Sequence, residues 1–328
     1  VDPDASTLTI TNLDPTADAN GPYIIDEGQD LVLDGSGSSD PGGDPLTYLW
    51  DQDDDGQYDD ASGAAPTVPW ATLAGWGLAT DGTVLTIGLE VDDGRGGVHA
   101  DATSLTINNL DPTADAGGPY VIAEGQDLAL DGGGSTDPGG DSLAYRWDLD
   151  NDGQYDDASG AAPTVPWATL AGLGLASDGT TLVIGLETDD GQGGVHTDAT
   201  SLTINNLDPT ADADGPYVIA EGQDLALDGS GSSDPGGDPL AYRWDLDNDG
   251  QYDDASGAAP TVPWATLAGL GLASDGTALT IGLEVDDGQG GVHTDATSLT
   301  INNLDPTADA DGPYVIAEGQ DLPLDCSG

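Results

Sequence analysis

The sequence predicts a tandem array of all-β domains, each an antiparallel β-sandwich with a long acidic loop and a short helical turn. One segment, Asn-Leu-Asp-Pro-Thr-Ala-Asp-Ala, recurs every 97 residues, beginning at Asn12, Asn109, Asn206 and Asn303. Short runs of alternating apolar and polar residues lie between these points, the pattern of half-buried strands. The 50 Gly, 21 Pro and many Asp residues favour turns over long helices.

Charge and composition exclude several functional classes. The 328 residues include 62 acidic and 3 basic side chains, a formal net charge of −59. Nucleic acids and anionic membranes are bound through clusters of Lys and Arg, so we expect neither partner. No apolar run approaches the roughly 18 residues that span a bilayer, so we expect no membrane insertion and no signal peptide in this segment. Cys326 is the only cysteine, so no disulfide can form within the chain.

The repeat defines the expected domains. Three complete repeats cover residues 14–110, 111–207 and 208–304, and the second and third differ at only seven positions. A repeat of 97 residues is long enough to have its own core. Residues 1–13 match the final strand of a preceding repeat, and residues 305–328 match the start of a following one. We therefore expect the chain to be a segment of a longer protein.

The elements of the second repeat follow from its apolar spacing. Strands are expected at residues 120–122, 127–130, 143–147, 182–186 and 202–204. Leu143, Tyr145 and Trp147 share one face of their strand and are expected in the core. The segment 148–180 is expected to be mostly loop, with one or two helical turns from Pro166 onward, because proline suits the first turn of a helix. Short strands with polar turns between them describe a sandwich.

Two motifs give the chain a family resemblance. Residues 35–51 read Gly-Ser-Gly-Ser-Ser-Asp-Pro-Gly-Gly-Asp-Pro-Leu-Thr-Tyr-Leu-Trp-Asp, and residues 89–94 read Leu-Glu-Val-Asp-Asp-Gly. The chain thereby resembles the polycystic kidney disease (PKD) domain family in every repeat. This resemblance implies immunoglobulin-like sandwiches, used in tandem in secreted microbial surface proteins, adhesins and accessory parts of hydrolases. The family usually has a short Trp-Asp-x-Gly-Asp-Gly turn after the Trp, whereas this chain has a longer acidic loop.

That acidic loop has the spacing of a calcium-binding loop. Alternating carboxylates can converge on one centre, and the glycine that follows allows a sharp turn. The predicted Ca2+ ligands are Asp51, Asp53, Asp55 and Asp59; Asp148, Asp150, Asp152 and Asp156; and Asp245, Asp247, Asp249 and Asp253. Ser159 stands where an EF-hand has a bidentate Glu, which leaves Asp157, water or another loop to complete the site. The alternative is a solvated turn that binds no metal.

A second set of acids is expected at the junctions between repeats. Each repeat has an Asp-Pro-Gly-Gly-Asp turn and an Asp-Asp pair before its last strand, and an immunoglobulin-like fold places both beside the incoming linker. These segments are residues 40–44 and 92–93, 137–141 and 189–190, and 234–238 and 286–287. The calcium-like loop is expected at the opposite end, so acids of successive repeats would face each other and require cations or high salt. The alternative is that these turns bind no metal.

The histidines and one set of tryptophans admit two interpretations each. His99, His196 and His293 occur once per repeat without a Cys partner, which favours strand-facing or exposed imidazoles over zinc ligands. Trp70, Trp167 and Trp264 lie in the expected helical turn, which favours packing against the core over a sugar-binding platform.

The predicted function is not enzymatic. An active site would be needed once, whereas near-identical repeats suit an extracellular or cell-surface rod, filament or adhesin stalk that is stiffened by calcium. The expected partners are neighbouring repeats of the same chain, other copies of the chain in a filament, or cell-surface glycans. One alternative is a spacer or carbohydrate-binding region of a large secreted hydrolase. Another is a halophilic surface protein whose acids serve solubility rather than metal binding.

Overall fold

The computed structural model describes residues 6–78, 84–175, 181–272, 276–307 and 315–321. The same order of elements occurs three times. In the first repeat these elements are β1 (Tyr23–Asp26), β2 (Leu31–Val32), β3 (Thr47–Asp51), β4 (Ala61–Ser62), β5 (Thr67–Val68), α1 (Trp70–Gly75), β6 (Val84–Asp92) and β7 (Val98–Asn108).

The second and third repeats contain equivalent elements. In the second they are β8 (Tyr120–Ala123), β9 (Leu128–Ala129), β10 (Ala144–Asp148), β11 (Ala158–Ser159), β12 (Thr164–Val165), α2 (Trp167–Gly172), β13 (Thr181–Asp189) and β14 (Val195–Asn205). In the third they are β15 (Tyr217–Ala220), β16 (Leu225–Ala226), β17 (Ala241–Asp245), β18 (Ala255–Ser256), β19 (Thr261–Val262), α3 (Trp264–Gly269), β20 (Ala278–Asp286) and β21 (Val292–Asn302).

Each repeat has one large and one small sheet. In the first, the five-stranded sheet has the order β1-β7-β6-β3-β4, and β2 pairs with β5 in the second sheet. The pairs around β3, β6 and β7 are antiparallel, but β1 runs parallel to β7 with Tyr23 opposite Leu105. The predicted class of tandem all-β sandwiches with short helical turns is thus confirmed, and the expectation of purely antiparallel pairing is corrected at this edge.

The core lies between the two sheets and the helix. Trp50 of β3 is fully buried, and it packs with Leu31 of β2, Val68 of β5 and Leu73 of α1. Its indole N–H donates to the Gly63 carbonyl at 3.0 Å, so burial leaves this polar group satisfied. Trp147 and Trp244 are buried equally in the other repeats. Tyr145 and Leu143, expected beside Trp147, are only half-buried.

The expected helical turn is present, with Pro166 one residue before it rather than inside it. Pro166 has an extended backbone (φ −62°, ψ 144°) and α2 begins at Trp167. The first helical N–H has no intrahelical acceptor. The Asp127 carboxylate, 40 residues away, accepts that bond at 2.9 Å. A remote aspartate therefore caps the helix that no local side chain caps.

The segment between β10 and α2 was expected to be mostly loop, but it contains two short strands, β11 and β12. They are only two residues long, which is why their apolar alternation is too brief to recognise. Residues 6–13, expected to be a strand of a preceding repeat, have no regular secondary structure. The remainder of the two terminal segments, residues 1–5, 308–314 and 322–328, lies outside the described residues.

The chain divides into two compact units. The first contains residues up to Val121 together with 127–175 and 181–203, and therefore the first repeat and most of the second. The second contains the turn 122–126 and the residues from Ile204 onward. No helix among the described residues is long and apolar enough to cross a membrane.

Candidate metal centre

The acidic loop starts on a buried strand. Asp148 is the last residue of β10, directly after the fully buried Trp147, and only 3% of its surface is exposed. It lies opposite Gly185 of β13, and the ring of Tyr155 covers that glycine so closely that a Cβ at Gly185 would lie 3.0 Å from it. The Asp148 side chain is therefore shielded from solvent at the end of a buried strand.

Backbone N–H groups hold the alternating carboxylates in place. Asp148 Oδ2 accepts from Gly153 at 3.0 Å, and Asp150 Oδ1 accepts from Asp152 at 3.1 Å. Asn151 and Gly153 have φ values of 57° and 88°, the left-handed conformation that Asn and Gly adopt most readily. The loop therefore curls around its own aspartates.

Three carboxylates converge in each loop. Oxygens of Asp148, Asp150 and Asp157 lie within 4.8 Å of one another, close enough to hold one metal ion. Asp157 Oδ2 also accepts from the backbone N–H groups of Leu149 at 2.6 Å and Asp150 at 3.2 Å. The group of the third repeat, Asp245, Asp247 and Asp254, is equivalent, whereas that of the first repeat consists of Asp51, Asp53 and Asp55.

The structure brings together some of the predicted ligands and leaves others outside. The first and second aspartates of every loop belong to its group, as does Asp55, whereas Asp152 and Asp249 do not. The ninth-position residues Asp59, Asp156 and Asp253 also lie outside the groups. In the second and third repeats the following residue, Asp157 or Asp254, joins instead. The N–H of Asp157 donates to the Trp147 carbonyl at 3.0 Å, which fixes this residue at the entry to β11. Successive side chains in extended backbone point in opposite directions, so Asp156 faces solvent when Asp157 faces the loop.

Electrostatics within the loop favour a cation. Desolvation raises the pKa of Asp150, and the neighbouring charges of Asp157, Asp152 and Asp148 raise it further against the lowering effect of its backbone hydrogen bond. Asp53 and Asp247 have raised pKa values for the same reasons. Like charges in a partly desolvated site destabilise one another unless a positive ion joins them.

A second acidic group lies where one repeat follows another. The turns that were expected beside the incoming linker do lie together there, since Arg95 Nε is 2.8 Å from Asp44 Oδ1. Asn109 of the linker donates to Asp190 Oδ2 at 2.9 Å. The acids of the calcium-like loop were expected to face the Asp-Pro-Gly-Gly-Asp turn of the next repeat, but a different acid of the preceding repeat meets this turn.

That acid is a glutamate in the turn after the first strand. Glu27 lies within 4.8 Å of Asp137 and Asp141, and Glu124 forms the same group with Asp234 and Asp238 in the second compact unit. Neither glutamate was predicted from the sequence. Glu is scarce in this Asp-rich chain, and each repeat uses it only in this turn and in one strand, which is a signal for a position that needs the longer side chain.

The histidines and helix tryptophans have structural contacts. His196 Nδ1 accepts from the Ala114 N–H at 3.0 Å, and His99 and His293 accept from Ala17 and Ala211 in the same way. Trp70 packs against the core of its repeat. These contacts are those expected of structural side chains.

Comparison with known proteins identifies the family. The PKD domain family model matches residues 12–74, 109–169 and 206–269, more than half of the chain. No curated protein matches significantly. Solved structures to which the chain is similar include Sidekick-1 immunoglobulin domains 1–5, at 13% identity over 90% of this chain and 60% of that one, with a TM-score of 0.37.

Two further solved structures are similar to this chain at low identity. The four N-terminal domains of Dscam1 isoform 6.9 are 12% identical over 89% of this chain and 74% of that one, with a TM-score of 0.35. Extracellular domains 3–5 of Drosophila OTK are 10% identical over 91% of this chain and all of that one, with a TM-score of 0.30. On the family match that recurs in all three repeats, the chain belongs to the PKD domain family.

Proposed function

We propose that the chain is a non-enzymatic structural segment of an extracellular or cell-surface protein, whose PKD repeats bind Ca2+ in their acidic loops and form a stiff rod or stalk. Tandem PKD repeats fit an adhesive or structural role outside the cell. Their near-identity supports a mechanical role, because length and stiffness require no difference between repeats.

The calcium part of the proposal depends chiefly on one buried carboxylate. Asp148 is 97% buried, and no donor among the described residues reaches its Oδ1 atom. The buried Oδ1 atom of Asp51 in the first repeat likewise has no hydrogen-bond donor among the described residues. A buried carboxylate oxygen that neither solvent nor a donor reaches is costly unless a cation binds it. Three oxygens at one centre, supplied only by carboxylates, suit a hard cation such as Ca2+.

Mg2+ and Na+ provide the discriminating comparisons. Mg2+ requires near-ideal octahedral geometry and keeps several of its waters, whereas Ca2+ accepts irregular sets of oxygen ligands, so a group of three carboxylates from one loop favours Ca2+. Na+ at equal ionic strength screens the charge of the whole surface without filling a site. If the acids serve only solubility in salt, NaCl and CaCl2 at matched ionic strength will stabilise the chain equally.

Thermal unfolding of the whole chain tests the proposal. Melts followed by tryptophan fluorescence should be recorded in chelator, CaCl2, MgCl2 and NaCl at one ionic strength. At a calcium concentration 100 times Kd, each site should add about 2.7 kcal/mol to the free energy of unfolding. Equal melting temperatures in CaCl2 and NaCl would reject calcium binding. Small-angle scattering with and without calcium tests stiffness separately, and an unchanged distance distribution would reject the stiffened rod.

A further inference from the structure

The turn between β1 and β2 is held against the linker that leaves its repeat. We call residues 26–29 the end turn and residues 137–141, the Asp-Pro-Gly-Gly-Asp segment of the next repeat, the acceptor turn. The Glu27 N–H donates to the Asn108 carbonyl at 3.0 Å, and its Oε1 atom accepts from the Leu110 N–H at 2.8 Å. Glu27 is 99% buried. Its position is therefore fixed by the last strand and the linker.

The end turn and acceptor turn approach each other at glycines. A Cβ added to Gly139 would overlap the Glu27 carboxylate, and one added to Gly28 would lie 2.7 Å from the Pro138 carbonyl oxygen. The Trp70 indole N–H donates to the Gly139 carbonyl at 3.2 Å. Helix α1 and the end turn therefore form one surface that receives the acceptor turn, and only glycine allows such a close approach.

The three repeats act as an internal comparison. Glu124 in the second compact unit is also 99% buried, and a Cβ at Gly125 would again lie 2.7 Å from a proline carbonyl, that of Pro235. In the third repeat, Glu221 is only half-buried and a Cβ at Gly222 would meet no described atom within 4 Å. Burial of this glutamate therefore accompanies an acceptor turn and is not a property of the end turn alone.

The first acceptor turn gives the complementary comparison. Gly42 occupies the position of Gly139, but a Cβ there would meet only Asp40 and Asp44 of its own turn, at 3.1 and 3.4 Å. The turns have the same sequence, Asp-Pro-Gly-Gly-Asp. The contact that excludes a larger side chain at Gly139 is thus made by Glu27 of the preceding repeat.

We propose that the end turn, with the adjacent tryptophan, is a homotypic docking surface whose partner is the acceptor turn of another repeat of this kind. Glu27 positions the linker, and Gly139 admits the glutamate carboxylate. A neighbouring β-domain without a Pro-Gly-Gly turn would not fit. This inference goes beyond the proposed function because it names the interacting surfaces and does not depend on calcium binding.

Hydrogen–deuterium exchange on the full chain tests the docking, with each substitution read on the opposite side of the interface. For Gly139→Ala, the exchange rates of the Leu110 amide and of the end turn are measured. For Glu27→Ala, the exchange rates of the acceptor turn are measured. Gly42→Ala is the matched control, the same change in the same turn sequence. Peptides that include Ala100 can be distinguished by mass from those of the other repeats, which have Thr197 and Thr294 at that position. Chelator removes any effect of calcium, and 1 M NaCl screens repulsion among the junction carboxylates.

Gly139→Ala should accelerate exchange of the Leu110 amide at least about tenfold, the low end for a lost hydrogen bond to a charged group. Glu27→Ala should accelerate exchange in the acceptor turn, and Gly42→Ala should leave the Leu110 amide at the wild-type rate. The proposal is overturned if the Leu110 amide and the end turn exchange at the wild-type rate in Gly139→Ala and the acceptor turn exchanges at the wild-type rate in Glu27→Ala. Equal acceleration at Leu110 by Gly42→Ala would also overturn it. If Gly139→Ala unfolds the second repeat, Glu27→Ala, which lies outside that repeat, decides the question.

Discussion

Replacing one aspartate in the acidic loops of the second and third repeats tests which of two adjacent residues supplies the third carboxylate. One variant changes Asp157 and Asp254 to Asn, and the other changes the preceding residues Asp156 and Asp253. Both variants remove two negative charges, so they alter the overall field of the protein equally. Asn retains an oxygen that can accept the backbone hydrogen bonds of Asp157, so the loop should keep its shape.

The size of the effect follows from the ligand count. Extracellular calcium modules have Kd values of about 0.1 to 1 mM, and affinity falls as ligand charge is removed. A tenfold weaker Kd, from about 0.1 to about 1 mM, corresponds to about 1.4 kcal/mol. In about 10 mM calcium, stabilisation per site would then fall from about 2.7 to about 1.4 kcal/mol. For a domain of this size, that lowers the melting temperature by about 5–10 °C.

Titration calorimetry and calcium-dependent melts measure both quantities. The variant at Asp157 and its counterparts should bind at least about tenfold more weakly, and the variant at Asp156 should bind like the wild type. In chelator, the two variants should melt alike. Equal affinities, or weaker binding by the Asp156 variant, would refute the carboxylate geometry on which the metal site is based.

Three single substitutions test how individual buried or charged side chains affect the free energy of unfolding. Thr188 is fully buried at the position where the third repeat has Val285, and its hydroxyl makes only a long hydrogen bond of 3.4 Å to a backbone carbonyl. Thr188→Val should therefore raise the free energy of unfolding by about 1 kcal/mol, measured by calorimetric or chemical unfolding. Asn109→Ala should lower the free energy of unfolding by about 1 kcal/mol, because it removes a hydrogen bond to the Asp190 carboxylate. Burial raises the pKa of Asp190, but its hydrogen bonds outweigh burial and hold that pKa below its ordinary value, so the loss of stability should disappear as the pH falls through it. Asp150 has a raised pKa, so the calcium-free wild type should lose stability relative to Asp150→Asn as the pH rises above 3.8, and parallel unfolding curves for the two would contradict this.

The fold was largely predictable because its signals are local and repeated three times. The long strands such as β13 show sustained alternation, and the proline before α2 marks the helix. The parallel pairing of β1 with β7 was not predictable, because the partner strands are about 80 residues apart and nothing in a four-residue strand specifies the direction of its neighbour. The two-residue strands β4 and β5 are too short to show a period.

The acidic loop was predictable in its alternating part and not at its end. The spacing of Asp148 and Asp150 reflects the backbone of a curled loop. Whether the side chain of Asp156 or of Asp157 points into the loop depends on the Trp147 carbonyl. This carbonyl accepts a hydrogen bond from the Asp157 N–H and thereby sets which side chains at the start of β11 face the loop. That is a tertiary contact, so sequence spacing could not choose between adjacent aspartates. Glu27 was missed for a similar reason, since its neighbours belong to the next repeat.

The docking surfaces give a physical reason for the distribution of differences among repeats. A head-to-tail contact between copies of one sequence requires every copy to carry both surfaces. The seven positions that differ between the second and third repeats all lie outside the Glu-Gly-Gln turn, the helix tryptophan and the Asp-Pro-Gly-Gly-Asp turn. They include Thr181 and Val183, which are exposed on β13, and the buried Thr188. A substitution on a strand affects one repeat, whereas a substitution at Gly139 affects the fit of two. Interface residues in this array are therefore constrained twice, and substitutions should accumulate first at positions outside the two turns and the helix tryptophan.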